Sequence, residues 1–224
     1  MRTKLAEREL PDYTHGEEVF NMVSHIVGGA VGVAALVLCI IFSAIHHNPW
    51  GLAGSIVFGI SMILLYTMSA IYHGLRPGMA KRVLQVLDHC TIYLLIAGTY
   101  TPILLSAMRP IDPVGTWVLF GVVWGLTALA VTLNAIDLKH FKTFSMICYL
   151  AMGWAIIVKL PVMIQGLTMN GFWLILAGGL CYTVGAVLYG IGGKKGVRYL
   201  HSVFHLFVLA GSVCHLLAVL LYVI

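Results

Sequence analysis

Three histidines occur at positions that suit a metal site. His201 and His205 are four residues apart, in the sequence His-Ser-Val-Phe-His. On a helix, residues at this spacing share one face about one turn apart, so the two imidazoles can bind one ion. His73 can supply a third ligand if its segment packs alongside. Three protein ligands with an open fourth position are typical of catalytic zinc, and the pattern therefore predicts Zn2+.

Two more polar residues accompany these histidines. Ser69 lies one helical turn before His73 on the same helix face, and Asp88 opens the next apolar segment. A carboxylate near a metal can orient or deprotonate water, and a hydroxyl can bond that water or a substrate carbonyl oxygen. His73, His201 and His205 are therefore the predicted metal ligands, and Asp88 and Ser69 are polar residues expected near the same depth.

Two other histidines are expected to lie outside the metal site. His89 follows Asp88 directly, so on a helix its side chain should point about 100° away, which favours a structural or supporting role. His215 lies about 21 Å beyond His201 along a helix, too far to share an ion. For His215 we expect an interhelical hydrogen bond, with Ser212 as a candidate partner.

A polar stripe precedes the first apolar run. Glu18, Asn21 and His25 fall on one face of a helix. Acidic residues stabilise the first turn of a helix, so helix capping and an interfacial polar stripe are the favoured interpretation. A role for this stripe in the metal site is the alternative.

The composition indicates a membrane protein. Of the 224 residues, 60% are apolar and 9% are charged, whereas globular domains contain about 25% charged residues. This excludes a soluble fold, a disordered chain and a nucleic-acid-binding protein. Seven apolar runs can each cross a bilayer core of about 30 Å as a helix. They are 22–45, 50–72, 86–107, 114–134, 144–164, 172–191 and 199–223.

We therefore expect an all-α membrane protein with seven transmembrane helices. Residues 1–21 would form a cytoplasmic N-terminal segment, and residues 22–224 the transmembrane domain. Pro102 is expected to kink the third span. The pairs Gly28/Gly32 and Gly121/Gly125 have the spacing of helix-packing glycines.

The basic residues predict the orientation, because cytoplasmic loops are enriched in lysine and arginine. With the N-terminus in the cytoplasm, the outer loops hold only Arg109, while Lys159 can extend outward from the fifth span. The inner segments hold the other eleven: Arg2, Lys4, Arg8, Arg76, Lys81, Arg82, Lys139, Lys142, Lys194, Lys195 and Arg198. This orientation places the C-terminus outside and the five predicted site residues near the inner leaflet.

At these residues the sequence resembles the hemolysin III family, the bacterial branch of the progestin and adipoQ receptor superfamily. The resemblance covers residue 17 to the C-terminus. It is carried by Glu-Glu-Val-Phe-Asn-Met-Val-Ser-His at 17–25, Ser-Ala-Ile-Tyr-His at 69–73, Leu-Asp-His-Cys-Thr-Ile-Tyr at 87–93 with the sequence to Pro102, and His-Ser-Val-Phe-His at 201–205 with Cys214-His215.

The resemblance implies a fold of seven helices with a cytoplasmic N-terminus. Adiponectin receptors bind zinc through three histidines that match His73, His201 and His205. Their motif Asp and Ser match Asp88 and Ser69, which the resemblance thereby implies as the catalytic residues. Those receptors and the related alkaline ceramidases resemble intramembrane hydrolases of lipid amides. The bacterial branch is named for haemolysis and presumed pore formation. The long cytoplasmic domain of the animal receptors has no counterpart here, so hormone sensing is not expected.

The expected function is that of a zinc-dependent hydrolase of membrane lipids (amides or esters), or of a lipid-responsive membrane-homeostasis protein. Membrane lipids are the expected partners, and the bacterial plasma (inner) membrane the expected location. A pore-forming, cytolytic protein is one alternative, although a pore needs polar groups at every depth. A transporter with the His/Asp cluster as a proton relay is the other.

Overall fold

The computed structural model describes residues 3–195 and 197–224, without side-chain detail at 193–195. The predicted inner cation Arg2, and the side chains of Lys194 and Lys195, lie outside the described residues. Within these ranges the structure consists of helices and connecting turns, with no β-strand. The helices are α1 (His15–Ile45), α2 (Pro49–Gly74), α3 (Met79–Pro102), α4 (Pro113–Asp137), α5 (Lys142–Trp154), α6 (Leu160–Lys195) and α7 (Leu200–Tyr222).

Six helical segments of the described chain are long and apolar enough to cross a membrane. They are α1, α2, α3 with a π-helical extension, α4, the run Lys142–Gly192, and α7. The most extensive packing joins α1 to α2, α2 to α3 and α6 to α7, and α1 also contacts α7. The prediction of an all-helical membrane protein is therefore confirmed.

In the run Lys142–Gly192, α5 continues through the 3₁₀ turn Ala155–Lys159 into α6, which itself combines two helices across a kink. Thr168 has non-helical backbone angles (φ 63°, ψ 172°), and it lies within the connection predicted at residues 165–171. Trp154 Nε1 donates a hydrogen bond to Thr183 Oγ1 at 3.0 Å. Because Trp154 and Thr183 are almost equally far from Thr168 in sequence, this contact means that the two arms fold back against each other.

Local capping explains where the helices begin. At Thr14, before α1, the hydroxyl accepts a hydrogen bond from the Glu17 N–H, and the Glu17 carboxylate accepts one from the Thr14 N–H. This capping box starts α1 well before the apolar run at residue 22. Asn48 and Asp112 cap α2 and α4, each followed by proline at the first helical position, where its missing N–H carries no penalty.

Asp112 also pairs with Lys159, whose Nζ lies 2.7 Å from Asp112 Oδ2. The hydrogen bond from Lys159 lowers the pKa of the Asp112 carboxyl group. Lys159 was expected to extend outward at the end of its span, and the structure gives it this acidic partner. The ion pair ties the start of α4 to the 3₁₀ turn Ala155–Lys159.

Pro102 ends the α-helical part of the third segment. The chain continues as a π-helix over Ile103–Met108. Proline cannot donate a backbone hydrogen bond and crowds the preceding turn, and a wider helical turn is one way to continue past it. Gly54 of α2 lies against Pro102, where an added Cβ would overlap the proline ring at 2.5–2.9 Å.

The two glycine pairs differ in their surroundings. A Cβ at Gly28 would overlap the Tyr66 ring, and one at Gly32 would lie 3.1–3.2 Å from Met62 and Ile63. These glycines let α1 approach α2 closely. A Cβ at Gly121 or Gly125 would have no neighbour within 4 Å, so the expectation that this pair packs against another helix is wrong.

The contrast between these pairs predicts a difference in stability. Gly28→Ala should destabilise the protein by about 1–3 kcal/mol, because the added methyl group must displace the buried Tyr66 ring. Gly121→Ala is the matched control and should leave stability unchanged or slightly raised, since alanine favours helix. Thermal unfolding of the purified variants in detergent measures both. Equal stability of the two variants would contradict the packing described.

Candidate metal centre

The start of α7 positions two histidines. Tyr199 precedes α7 with a left-handed backbone (φ 58°), and its N–H donates to Glu17 Oε1 at 2.7 Å. Arg198 also contacts Glu17, at 3.4 Å, so the beginning of α7 is fixed to the beginning of α1. One turn apart on α7, His201 and His205 place their Nε2 atoms 3.0 Å from each other.

His73, near the end of α2, completes a cluster of three. One ligand atom from each of His73, His201 and His205 lies within 4.8 Å of the other two. His73 is only 3% exposed, His205 only 1%, and the buried Nε2 of His73 has no hydrogen-bond partner. The lone pairs of ring nitrogens this close repel each other unless the nitrogens share a hydrogen or bind the same cation. The three residues therefore fit a metal ion, with imidazole donors that suit zinc and several other transition metals.

Glu18 orients the His73 ring. Its Oε2 lies 2.6 Å from His73 Nδ1, and its Oε1 lies 2.5 Å from Lys81 Nζ. Lys81 is also buried, and donates a second hydrogen bond to the Leu75 carbonyl at 3.0 Å. A carboxylate on Nδ1 keeps the proton on that nitrogen and leaves Nε2 free as a ligand, the arrangement found around many metal-bound histidines.

The sequence favoured helix capping for the stripe that contains Glu18 and kept a role in the metal site as the alternative, and the Glu18–His73 contact corresponds to that alternative. The capping role expected of this stripe belongs to Glu17, which forms the capping box with Thr14. Glu18 points instead to His73, on a different helix. The spacing of Glu18, Asn21 and His25 was the available signal, because it placed all three on one face.

His25 also joins the cluster. Its ring stacks on His205, with centroids 3.7 Å apart and planes 14° from parallel. Both ring nitrogens of His25 are buried without a hydrogen-bond partner. A stacked ring cannot direct its lone pairs to the ion that its neighbour binds. His25 therefore forms part of the wall of the site, and is not a fourth ligand.

Asp88 and Ser69 lie beside the histidines in a common cavity. Ser69 is buried, and both residues line the cavity together with His201 and His205. Asp88 Oδ2 lies 3.7 Å from His89 Nδ1, and His89 Nδ1 bonds the Gln85 carbonyl oxygen at 2.8 Å. Among the described side chains, Asp88 has no direct hydrogen bond to the three clustered histidines.

The cavity has a volume of about 150 Å³ and extends from the cluster between α3, α5, α6 and α7. Its wall is mainly apolar, with leucine, isoleucine and aromatic side chains between the polar residues. At the far end lie Tyr100, Trp154 and His215. His201 and His205 of the cluster thus line one end of a mainly apolar chamber.

His215 is remote from the cluster, as its spacing requires. Its Nδ1 bonds the Gly211 carbonyl oxygen within α7 at 2.8 Å, and its ring stacks on Tyr182. Ser212 bonds the hydroxyls of Tyr66 and Tyr182 instead. The suggested His215–Ser212 hydrogen bond is therefore wrong.

The N-terminal segment covers the histidines from outside the bundle. The Tyr13 ring stacks on His201, with centroids 5.0 Å apart, and burial raises the pKa of its phenol. The segment is held by contacts to three regions: Thr3 N–H to Asp137 at 2.7 Å, Arg82 to the Arg8 carbonyl at 2.9 Å, and Arg198 to the Asp12 carbonyl at 2.8 Å. It therefore separates the cluster from the surface at this end.

Comparison with known proteins identifies a family and several relatives. A family model described as "Haemolysin-III related" matches residues 13–216. "Hemolysin-3" of Bacillus cereus is 38% identical over 208 residues, covering 93% of this chain and 92% of that protein. "Hemolysin-3 homolog" of Bacillus subtilis (strain 168) is 35% identical over 212 residues, covering 94% and 96%. "Monocyte to macrophage differentiation factor" of Homo sapiens is 24% identical over 217 residues, covering 92% and 83%.

The Glu18–His73 contact predicts an effect on metal affinity. Glu18→Gln should weaken zinc binding about 10–100-fold, because the amide no longer fixes the His73 proton on Nδ1 with a full negative charge. The matched control is Glu9→Gln, since Glu9 makes an exposed ion pair with Lys139. Competition with a chromophoric chelator measures both affinities. Unchanged affinity in Glu18→Gln would show that Glu18 does not support the site.

Proposed function

The chain belongs to the haemolysin III family and is a multi-pass bacterial membrane protein, and from this premise we propose that it is a zinc-dependent hydrolase of membrane lipids. The observation that carries the proposal is that His201 and His205, two of the three histidines able to bind a metal ion, line one end of an apolar cavity. An amphipathic lipid fits this arrangement, with its acyl chain in the cavity and its amide or ester group beside the histidines.

The proposed topology has seven crossings, with the N-terminus in the cytoplasm and the C-terminus outside. The run Lys142–Gly192 contains 51 residues, about 76 Å of helix, more than twice the thickness of the bilayer core. The kink at Thr168 and the Trp154–Thr183 contact support two crossings in this run. Arg8, Arg82 and Arg198 cluster at the histidine end, which supports a cytoplasmic location for that end.

In this proposal His73, His201 and His205 hold the zinc ion. Zinc supplies a Lewis acid that polarises a carbonyl group and acidifies water at neutral pH. Glu18 keeps His73 in the tautomer that presents Nε2, and Lys81 balances the Glu18 charge. His25 and Tyr13 cover the faces of His205 and His201, and this packing limits the water around the site.

Asp88 and Ser69 have separate roles in the proposed reaction. The Asp88 carboxylate accepts a proton from the attacking water, and can later return it to the leaving amine or alcohol. The Ser69 hydroxyl donates a hydrogen bond to the oxygen of the substrate carbonyl, where negative charge develops. Water thereby divides the lipid into a fatty acid and an amine or an alcohol.

Pore formation is the rival function, because two relatives carry the name hemolysin. The polar side chains around the cavity lie at its two ends, are enclosed by helices and are separated by apolar side chains. Such a chamber favours binding of one lipid molecule over passage of water. A proton-linked transporter would use the same His/Asp cluster as a relay, and would need a second opening at the far end of the cavity.

The roles of Asp88 and His73 predict different losses. Asp88→Asn should lower the hydrolysis of a fluorogenic long-chain acyl amide or ester at least 100-fold while zinc content stays near one ion per chain. His73→Ala should lose both zinc and activity, because only two of the three metal ligands remain. His140→Ala, at an exposed histidine, is the control and should retain both. Zinc is measured by mass spectrometry of the purified protein.

The rival function is tested with the same preparation. Liposomes that contain the protein should retain a small dye. Dye release that persists after His73, His201 and His205 are all replaced by alanine, without any lipid cleavage by the wild-type protein, would overturn the hydrolase proposal in favour of a pore.

The topology predicts the behaviour of reporter fusions. A green fluorescent protein, which fluoresces only when it folds in the cytoplasm, should stay dark after Ile224, since we place that end outside. The same reporter fused after His140, in the turn between α4 and α5, should fluoresce and provides the control. Strong fluorescence from the first fusion together with a dark second fusion would reverse the orientation.

A further inference from the structure

The cavity is elongated along the helix axes. Its lining extends from Asp88 to Tyr100 on α3 and from His201 to His215 on α7. At 1.5 Å per residue these stretches are about 18 and 21 Å long. The lining on α6, which runs in the opposite direction, extends over about 15 Å between Tyr189 and Gly179. The three helices therefore line a narrow chamber, which has the histidine cluster at one end and His215 at the other.

His215 is held in a fixed tautomer. It is 7% exposed, and its Nδ1 lies 2.8 Å from the Gly211 carbonyl oxygen. A carbonyl oxygen only accepts hydrogen bonds, so Nδ1 carries the proton and Nε2 is an acceptor. The Tyr182 ring stacks on His215 with planes 10° from parallel, and Gly178 gives the ring room against α6.

The other polar groups at this end have protein partners. Each of the neighbouring side chains makes a hydrogen bond within the protein: Thr99 to Leu95, Tyr100 to Met152, Trp154 to Thr183, Thr183 to Gly179, and Tyr182 to Ser212. For His215 Nε2, none of the described residues provides a donor. His215 lines the cavity, and an acceptor without a partner in a mainly apolar cavity is unfavourable, so this nitrogen is suited to a donor that enters the cavity.

We propose that the deep end of the cavity is a second polar subsite, in which His215 Nε2 accepts a hydrogen bond from a hydroxyl group on the acyl chain of a bound lipid. The proposal rests on the lipid-binding role proposed above for this cavity. His215 lies ten residues beyond His205, about 15 Å along α7, which corresponds to roughly a dozen chain carbons. The favoured ligand is thus a lipid whose acyl chain carries a hydroxyl near its middle or beyond, and not next to its carbonyl.

This assignment makes the cavity selective. An unsubstituted chain fills the same apolar space but leaves His215 Nε2 unpaired, whereas a hydroxylated chain satisfies it. Sites that hydrogen-bond a ligand hydroxyl reject analogues without it more strongly than apolar pockets reject an extra group. We expect a preference of roughly tenfold for the hydroxylated chain, because one buried hydrogen bond is gained.

The test compares fatty acids on the purified full chain in lipid nanodiscs. The probes are octadecanoic acid and its 2-hydroxy, 6-hydroxy and 12-hydroxy derivatives, and the measurement is the dissociation constant from competition with a fluorescent fatty acid. The 12-hydroxy derivative should bind about tenfold more tightly than octadecanoic acid, and the 2-hydroxy isomer should gain nothing. A flat series in the wild-type protein would overturn the proposal, and would mean that water satisfies His215.

A variant at His215 tests whether this residue causes the preference for the hydroxylated chain. His215→Phe keeps the aromatic ring but removes the acceptor, so it should bind octadecanoic acid as the wild type does and lose the preference for the 12-hydroxy derivative. Zinc content, which His215 does not support, reports that this variant is folded. A preference that survives in His215→Phe would refute the assignment. The binding series needs no turnover, so loss of hydrolysis with the series intact would refute only the proposed reaction.

Discussion

Polar groups buried inside an apolar bundle must find partners within the protein, since lipid offers none. The Glu18 carboxylate meets this requirement for His73, one of the three clustered histidines. It contacts His73 on α2 and Lys81 on α3, so one side chain of α1 joins three helices. The ring orientation of His73 follows from this contact, and with it the direction of the nitrogen left free. Replacement of Glu18 would leave the buried Lys81 without its anionic partner and His73 Nδ1 without its acceptor.

The sequence alone was sufficient to predict which residues share a face along each helix. The i,i+4 spacing placed His201 and His205 on one face, and the depth of the apolar runs placed His73 beside them. The connection around Thr168 was also predicted from the break between apolar runs. Family resemblance reached the same residues independently. The basic residues gave an orientation, which stays a prediction.

The sequence alone could not predict the contacts between helices. Nothing in the spacing of Glu17 and Glu18 indicates which one caps α1 and which one reaches His73, because the answer depends on the rotation of α1 against α2. That rotation is set by Gly28 and the Tyr66 ring. The stacking of His25 on His205 likewise depends on how α1 lies against α7. For the Gly121/Gly125 pair the spacing predicted a close contact that the structure does not show, because glycine spacing alone does not place a neighbouring helix there.

The account as a whole depends on a metal ion held by three imidazoles. X-ray absorption spectroscopy at the zinc edge, on protein purified without added metal and then loaded with one equivalent, tests this most directly. The account predicts a four-coordinate spectrum with three imidazole nitrogens at about 2.0–2.1 Å and one further light atom. A sulfur shell, which would indicate a cysteine ligand, or a spectrum with six oxygen atoms and no imidazole, would contradict it.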